Sequence, residues 1–427
     1  MAKRSTAGPV VVVGAGVAGL ACALDLARAG TPVRVLEASD GVGGRMRTDR
    51  ADGFLLDRGF QVFNTSYPQV KRRVELGALR LHPFTPGVLV HTPRGRVRYA
   101  DPSRRPGDAL RMLTGRHTTA RGAASLGALS ATDALAPVRA LRALPERTTR
   151  QELARWGVPE ETVEGVLRPF LAGVFLEDGL ETSSRMLHLT WRSMIRGSLT
   201  LPAAGIGAVP EQLARGLPAG ALTLEAAVAE VDPGGVTLSD GSRVEAAAVV
   251  VATDAPAAAR LLPALGAVPT RTVTTYYHAS STSPLREPTL LLDSRRRFLN
   301  SCVLTEVCPS YADDRRALVS TSVLGPDAPG RAAALVPVLS EAYGTDADRW
   351  QPVAAVTVPA ALPAMAPPLK LSRTGRVAEG LYVCGDHRAT GSVQGAMASG
   401  ARTARELLAD LADLADLADR GGLGRRP

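Results

Sequence analysis

Three glycines and a glutamate carry the first chemical information in this chain. Gly14, Gly16 and Gly19 stand in G-x-G-x-x-G order between Val10-Val11-Val12-Val13 and the run Leu20-Ala21-Cys22-Ala23-Leu24-Asp25-Leu26. At those positions glycine permits a tight turn, lets the backbone approach a pyrophosphate, and lets a helix pack closely on a strand. The phosphates would then sit at the helix N-terminus, where free N–H groups and the dipole favour anions. Glu37 ends a second apolar segment, Pro32-Val33-Arg34-Val35-Leu36, 18 residues beyond Gly19. A carboxylate there accepts hydrogen bonds from ribose hydroxyls and repels a 2′-phosphate. The combination predicts an adenine dinucleotide site.

Two further stretches carry charge beside glycine. In Gly41-Val42-Gly43-Gly44-Arg45-Met46-Arg47-Thr48, Arg45 follows the ribose-binding carboxylate closely enough to neutralise the same pyrophosphate. Near the other end, the short apolar segment Leu381-Tyr382-Val383-Cys384 delivers Gly385-Asp386, and Ser392 can cap a helix running through Leu408.

The elements that must position these residues follow from patterning. Four consecutive valines read as a strand buried on both faces, and the Ala/Leu run after Gly19 as a helix packed on it. Ala246-Ala247-Ala248-Val249-Val250-Val251 reads as another such strand, and Gly53 to Phe63 as a strand with a close-approach glycine. Ala109–Leu113 and Ala134–Leu144 are helix-like, and Thr149-x-x-Glu152 is a capping box before Leu153. From Thr270 to Val358 the pattern is mainly β. Alternation puts Thr274, Tyr276 and His278 on one face of a strand and Val273, Thr275 and Tyr277 on the other, and one of these faces should line a substrate cavity. Leu408 to Asp419 repeats Leu-Ala-Asp four times; its period of three drifts around a helix, so it predicts a solvated extension fraying near Gly421-Gly422.

Composition bounds the rest. With 427 residues, 45% hydrophobic and 21% charged, the chain is an ordinary globular protein of two or three domains. Its net charge is +9, carried almost wholly by arginine, with Lys3, Lys71 and Lys370 the only lysines. The arginines between Arg94 and Arg121, interleaved with Leu110, Met112 and Leu113, read as a solvated helix face, with peripheral membrane contact as the alternative. No nucleic-acid motif accompanies the charge. Cys22, Cys302, Cys308 and Cys384 show no metal-ligand spacing and suggest reduced core thiols in a cytoplasmic protein. The Lys3-Arg4 start before an apolar run imitates a secretory signal, but removing it would delete the phosphate loop.

The order G-x-G-x-x-G, then Glu37, then Gly43-Gly44-Arg45-x-x-Thr48, resembles the start of the FAD-dependent superfamily of amine oxidases, protoporphyrinogen oxidases and phytoene desaturases. The Gly385-Asp386 motif matches that superfamily almost continuously. The block Phe298 to Ala312 with Ala317 to Ser322 is similar to phytoene-desaturase-like members. The resemblance implies an α/β fold with a Rossmann-like FAD-binding domain of the GR2 type and an inserted α+β substrate domain. The FAD-binding domain would comprise 1–75, 205–265 and 373–427; 76–204 would be a mainly helical and 266–372 a mainly β part of the substrate domain.

Cofactor contacts implied are Gly14, Ala15, Gly16, Ala18 and Gly19 in the first turn, Glu37 and Ala38 after the second strand, and Gly44 and Arg45 at the phosphates. Gly59, Phe60 and Gln61 would lie near the flavin ring and Val228 would make backbone contact with the adenine. Gly385, Asp386, Ser392, Val393 and Ala396 complete the set, the second helix dipole stabilising negative charge on the N1–C2=O edge of reduced flavin.

The expected function is therefore an FAD-dependent dehydrogenase or desaturase, phytoene-dehydrogenase-like, passing a hydride from a C–H bond of an apolar or polycyclic small molecule to flavin N5. Oxygen or a quinone would reoxidise it. No dedicated base is obligatory; Tyr276, His278 and His387 are the cavity candidates if one is used. A flavin amine oxidase is disfavoured by the scarcity of lysine and an aromatic content of 4%. A redox-neutral FAD-dependent isomerase and a non-catalytic binding protein on the same fold are the remaining alternatives.

Overall fold

The computed structural model describes residues 8–100, 104 and 119–423, with side chains described as far as 413. The helix-like stretch 109–113 and most of the basic run before Arg121 lie outside the described residues.

The valine run forms the Val10–Val13 strand near the middle of a six-stranded sheet. Its neighbours in order are Leu222–Thr223, Val33–Leu36, Val10–Val13, Ala248–Val251, Leu381–Val383 and Arg376–Ala378, so three distant stretches of sequence build one sheet. All pairs are parallel except the last. Both faces of the valine run are covered, which explains its unbroken apolar pattern. Val10 and Val12 pack with the Val17–Arg28 helix and the start of the Val393–Leu423 helix, while Val11 packs against Val236 of a small antiparallel sheet made by 228–245. The two helices cross closely at Gly400, where a Cβ would run into the Ala18 carbonyl.

The second layer is a seven-stranded sheet ordered Gln351–Pro363, Thr270–Ser280, Ala317–Leu324, Asn300–Val303, Leu290–Asp293, Gly87–Thr92 and Gly95–Ala100. Residues 87–100 thus contribute a hairpin to this sheet, although the surrounding stretch reads as helical in sequence. One face of the sheet meets the Arg331–Tyr343 helix and Trp350; the other meets the Arg168–Phe175 and Ser184–Arg196 helices.

Several local expectations shift. The 134–144 stretch is the end of one helix, Ala120–Leu135, and a separate one, Val138–Ala143, because Pro137 cannot continue the first. The capping box uses Thr148 and Gln151, one residue earlier than expected: the Thr148 hydroxyl accepts from the Gln151 N–H at 3.2 Å and Gln151 Oε1 accepts from the Thr148 N–H at 3.1 Å. The Gly53–Phe63 stretch divides into strands Phe54–Asp57 and Phe63–Asn64, with Gly59 at φ +80° turning the chain between them. The final helix runs through Gly421 and Gly422 to Leu423. The four cysteines are free and buried. Among the described residues, no helix is long and apolar enough to cross a membrane.

Asp57 ties the layers together. Its carboxylate accepts from the Thr48 hydroxyl at 2.6 Å, the Ile206 N–H at 2.9 Å and the Tyr311 hydroxyl at 2.8 Å, while its carbonyl accepts from the Tyr277 hydroxyl at 2.6 Å. Burial pushes this carboxyl up to about 6 despite the hydrogen bonds that favour its ionised form. A carboxyl held above its unfolded value contributes stability at low pH that is lost as pH rises through the folded value. From about pH 4 to about pH 6 Asp57 should therefore cost about 3 kcal/mol, with no further change above. Asp57→Asn should flatten that part of the curve, which denaturant midpoints at pH 4.5 and 7.5 would read. A wild-type slope retained in the variant contradicts the assignment.

Candidate functional site

A cavity of about 920 Å³ opens between the two layers. Its near end is the turn after the first strand. Gly14 has φ +104°, a conformation only glycine adopts easily, and its N–H donates to the Leu36 carbonyl at 2.7 Å. Gly16 precedes the first turn of the Val17–Arg28 helix with no side-chain cap, and a Cβ there would meet nothing within 4 Å. The helix N-terminus is thus open to the cavity, as an anion cradle requires.

Glu37 also faces this end, and it holds more of the protein than its spacing suggests. Its carboxylate accepts from the Ala15 N–H at 2.7 Å and from the Ser39 N–H and hydroxyl at 3.0 and 2.7 Å. It therefore pins the glycine turn while one side remains toward the cavity. Ala18, Ala38, Gly44 and Val228 line the same end. Ala15 and Gly19 do not line it: Ala15 is fully buried with its N–H on Glu37, and a Cβ on Gly19 would run into the Gly14 carbonyl. Their part is packing.

Arg45 and Asp386, 341 positions apart, meet over the cavity at 2.8 Å. The same Arg45 nitrogen donates to the Ala361 carbonyl at 2.9 Å. Burial opposes the charge on Asp386, but the Arg45 guanidinium outweighs it and holds the carboxyl below the usual carboxylate range. A third of the Arg45 side chain stays accessible, so it can meet an anion while keeping its carboxylate partner. Arg47 instead pairs with Asp40 at 2.8 Å.

Gly59, Phe60 and Gln61 form the middle of the wall, and Gly385, Ser392, Val393 and Ala396 close it. Gln61 Nε2 donates to the Arg45 carbonyl at 2.6 Å, and the Phe60 N–H to the Thr275 hydroxyl at 3.2 Å. The Ser392 hydroxyl accepts from the Gly395 N–H at 3.0 Å, capping the last helix.

The structure places none of the three candidate bases in the cavity wall. Tyr276 and His278 lie on the opposite face of their strand, packed under the Arg331–Tyr343 helix and Trp350. The Tyr276 hydroxyl donates to Asp327, and burial together with that carboxylate pushes the phenol up to about 12. Burial pulls His278 down, and pulls His387 down to about 4, so His387 is neutral at pH 7. The face that does meet the cavity side is that of Val273, Thr275 and Tyr277. Asp254, Asn300 and Ser322 also line the cavity; Asn300 and Ser322 stand in strands with other polar residues, Ser301 in one and Ser320 and Thr321 in the other, so nothing local singles them out.

A parallel sheet with a glycine cradle, a ribose-side carboxylate and a second helix N-terminus across one cavity defines a dinucleotide-binding protein of the flavoprotein class. The chain belongs to the flavin containing amine oxidoreductase family, whose model matches residues 17–408, and its cofactor is FAD. It is 43% identical over 76 residues to an L-amino-acid oxidase of Crotalus adamanteus, a match covering 18% of this chain and 15% of that protein. A zeta-carotene-forming phytoene desaturase of Myxococcus xanthus is 44% identical over 82 residues, covering 17% and 16%. Cyclohexylamine oxidase of Brevibacterium oxydans superposes with a TM-score of 0.71 at 19% identity, covering 95% of this chain and 99% of that one, which shows a shared fold. The open Gly16 cradle and the Arg45–Asp386 pair fit FAD.

Proposed function

We propose that the protein is an FAD-dependent dehydrogenase or desaturase acting on a neutral, largely apolar or polycyclic small molecule, with oxygen or a quinone as the terminal electron acceptor. One observation carries the substrate side of this reading. The part of the cavity contributed by the Arg168–Phe175 and Ser184–Arg196 helices and by the seven-stranded sheet contains no ionisable side chain among the described residues; Phe170, Phe175, Leu290, Leu292 and Leu362 dominate it. A charged substrate would lose its hydration there without a counter-ion.

The flavin, when bound, supplies hydride acceptance. The chain's own groups bind and orient: the Gly14–Gly19 turn and Glu37 take the adenine half, and Arg45 and Asp386 the phosphate and ribityl region. The apolar walls exclude water from the reacting C–H bond. Dehydrogenation also releases one proton from the substrate, and with no histidine in the described cavity wall that proton would pass to solvent at the cavity mouth.

Anaerobic mixing of the holoenzyme with polyenes, porphyrinogens, polycyclic metabolites and amines tests the reading. Bleaching of the oxidised flavin band by neutral apolar compounds is the expected result. Bleaching by amines alone would reassign the protein as an amine oxidase.

A further inference from the structure

Asn300 starts a strand whose four residues are all buried, and its own accessibility is 8%. It lines the cavity, yet neither end of its amide has a hydrogen-bond partner among the described residues, and its Oδ1 is fully enclosed. No other residue of the described cavity wall has a buried side-chain polar atom left without a partner. Buried amides are ordinarily satisfied, and with Oδ1 enclosed the edge that can still find a partner from the cavity is the Nδ2 amide, a donor.

Its position says what that partner meets. Asn300 pairs in register with Ser322, and Ser322 with Thr275, so the three side chains form one row across three strands on the cavity side of the sheet. The row is internally satisfied up to its end: the Phe60 N–H donates to Thr275, and the Thr275 and Ser322 hydroxyls bond each other at 2.9 Å. Asn300 alone is left over. On its other side stands Gly173, where a Cβ would come within 3.1 Å of Asn300 Nδ2, so the helix leaves room for the amide.

We infer that Asn300 is a substrate-binding residue and that the substrate carries one neutral hydrogen-bond acceptor, a hydroxyl or carbonyl oxygen, on an otherwise apolar body. The inference rests on the apolar-substrate reading and narrows it, setting pure hydrocarbons aside. Running from Phe60 to Asn300, the polar row orients that body lengthwise beside the Gly59–Gln61 segment.

The test uses oxidised holoenzyme under anaerobic conditions with two probes of similar size, 2-naphthol and 2-methylnaphthalene, binding being read from the perturbed flavin absorbance. Wild type should bind 2-naphthol about tenfold more tightly. Asn300→Leu should bring the two within about twofold by weakening 2-naphthol alone, while FAD content is unchanged and the melting temperature does not fall, because an unpaired buried amide has been replaced by an apolar group. If the leucine fails to fold, Asn300→Ala makes the same comparison. A wild type without preference, or a variant that keeps it, overturns the assignment. Because this readout needs no turnover, failure of the flavin-reduction screen would sink the dehydrogenase reading without deciding the role of Asn300.

Discussion

Gly16→Val should abolish retention of FAD while leaving the apoprotein folded, and Gly19→Val should prevent folding. The two glycines belong to one motif and are three residues apart, but their surroundings differ. A Cβ at Gly16 meets nothing within 4 Å, its φ of −69° suits any residue, and the space it would enter is the anion cradle. A Cβ at Gly19 runs into the Gly14 carbonyl and comes within 3.0 Å of the Ala252 side chain, each the first residue after a strand of the central sheet. The first change costs little until a pyrophosphate must approach the helix N–H groups; displacing it should weaken FAD by at least about 100-fold, roughly 3 kcal/mol. The second forces helix and strand apart at the centre of the core, and because the atom it meets is a backbone carbonyl that cannot swing aside, the penalty exceeds the roughly 1–3 kcal/mol of ordinary core overpacking. Flavin absorbance after reconstitution, with far-ultraviolet circular dichroism of each apoprotein, separates the cases. Equal loss of fold in both would remove the distinction.

Arg45→Met should be almost as severe and for a different reason. It strips the buried Asp386 carboxylate of its guanidinium and leaves a negative charge where two phosphates must bind. Removing one partner of a fully buried pair typically costs about 3–5 kcal/mol, and with a third of Arg45 accessible the loss here falls below that range. The fold should lose stability and purified protein should come without flavin. The pH dependence of stability gives a second readout. Asp386 is held below its usual range, so it contributes stability above the unfolded value that is lost as pH falls through the folded one. In Arg45→Met burial is left to raise the Asp386 carboxyl, so the acid-side loss should disappear and stability should instead fall as pH rises through the raised value, and Arg45→Met with Asp386→Asn should recover stability but not flavin. Recovery of both would show that the pair is structural only.

Much of the cofactor end is legible along the chain because its donors are local. A turn glycine, a helix N-terminus and a carboxylate at a strand end need only short spacings to be recognised, so Gly14, Gly16 and Glu37 are readable. Arg45 is readable as a charge near the pyrophosphate, whereas its bond to Asp386 is not, since 341 positions separate them and only the closed sheet brings the first and last segments together.

The substrate side shows where local reading stops. Alternation along 273–278 separates two faces, but every residue in that run is buried, with polar and aromatic side chains on both faces. Nothing local says which face meets the cavity; the Arg331–Tyr343 helix and Trp350 decide it, the helix covering Tyr276 and Trp350 lying against His278. The sequence alone determined a parallel-sheet cofactor domain and the residues of its phosphate cradle, because hydrogen-bond geometry within a strand-turn-helix is short-range. Only the tertiary structure decided which side of the second sheet is the cavity wall and that Asn300 stands unpaired in it. Cavities are made by packing between elements, and no single element encodes that.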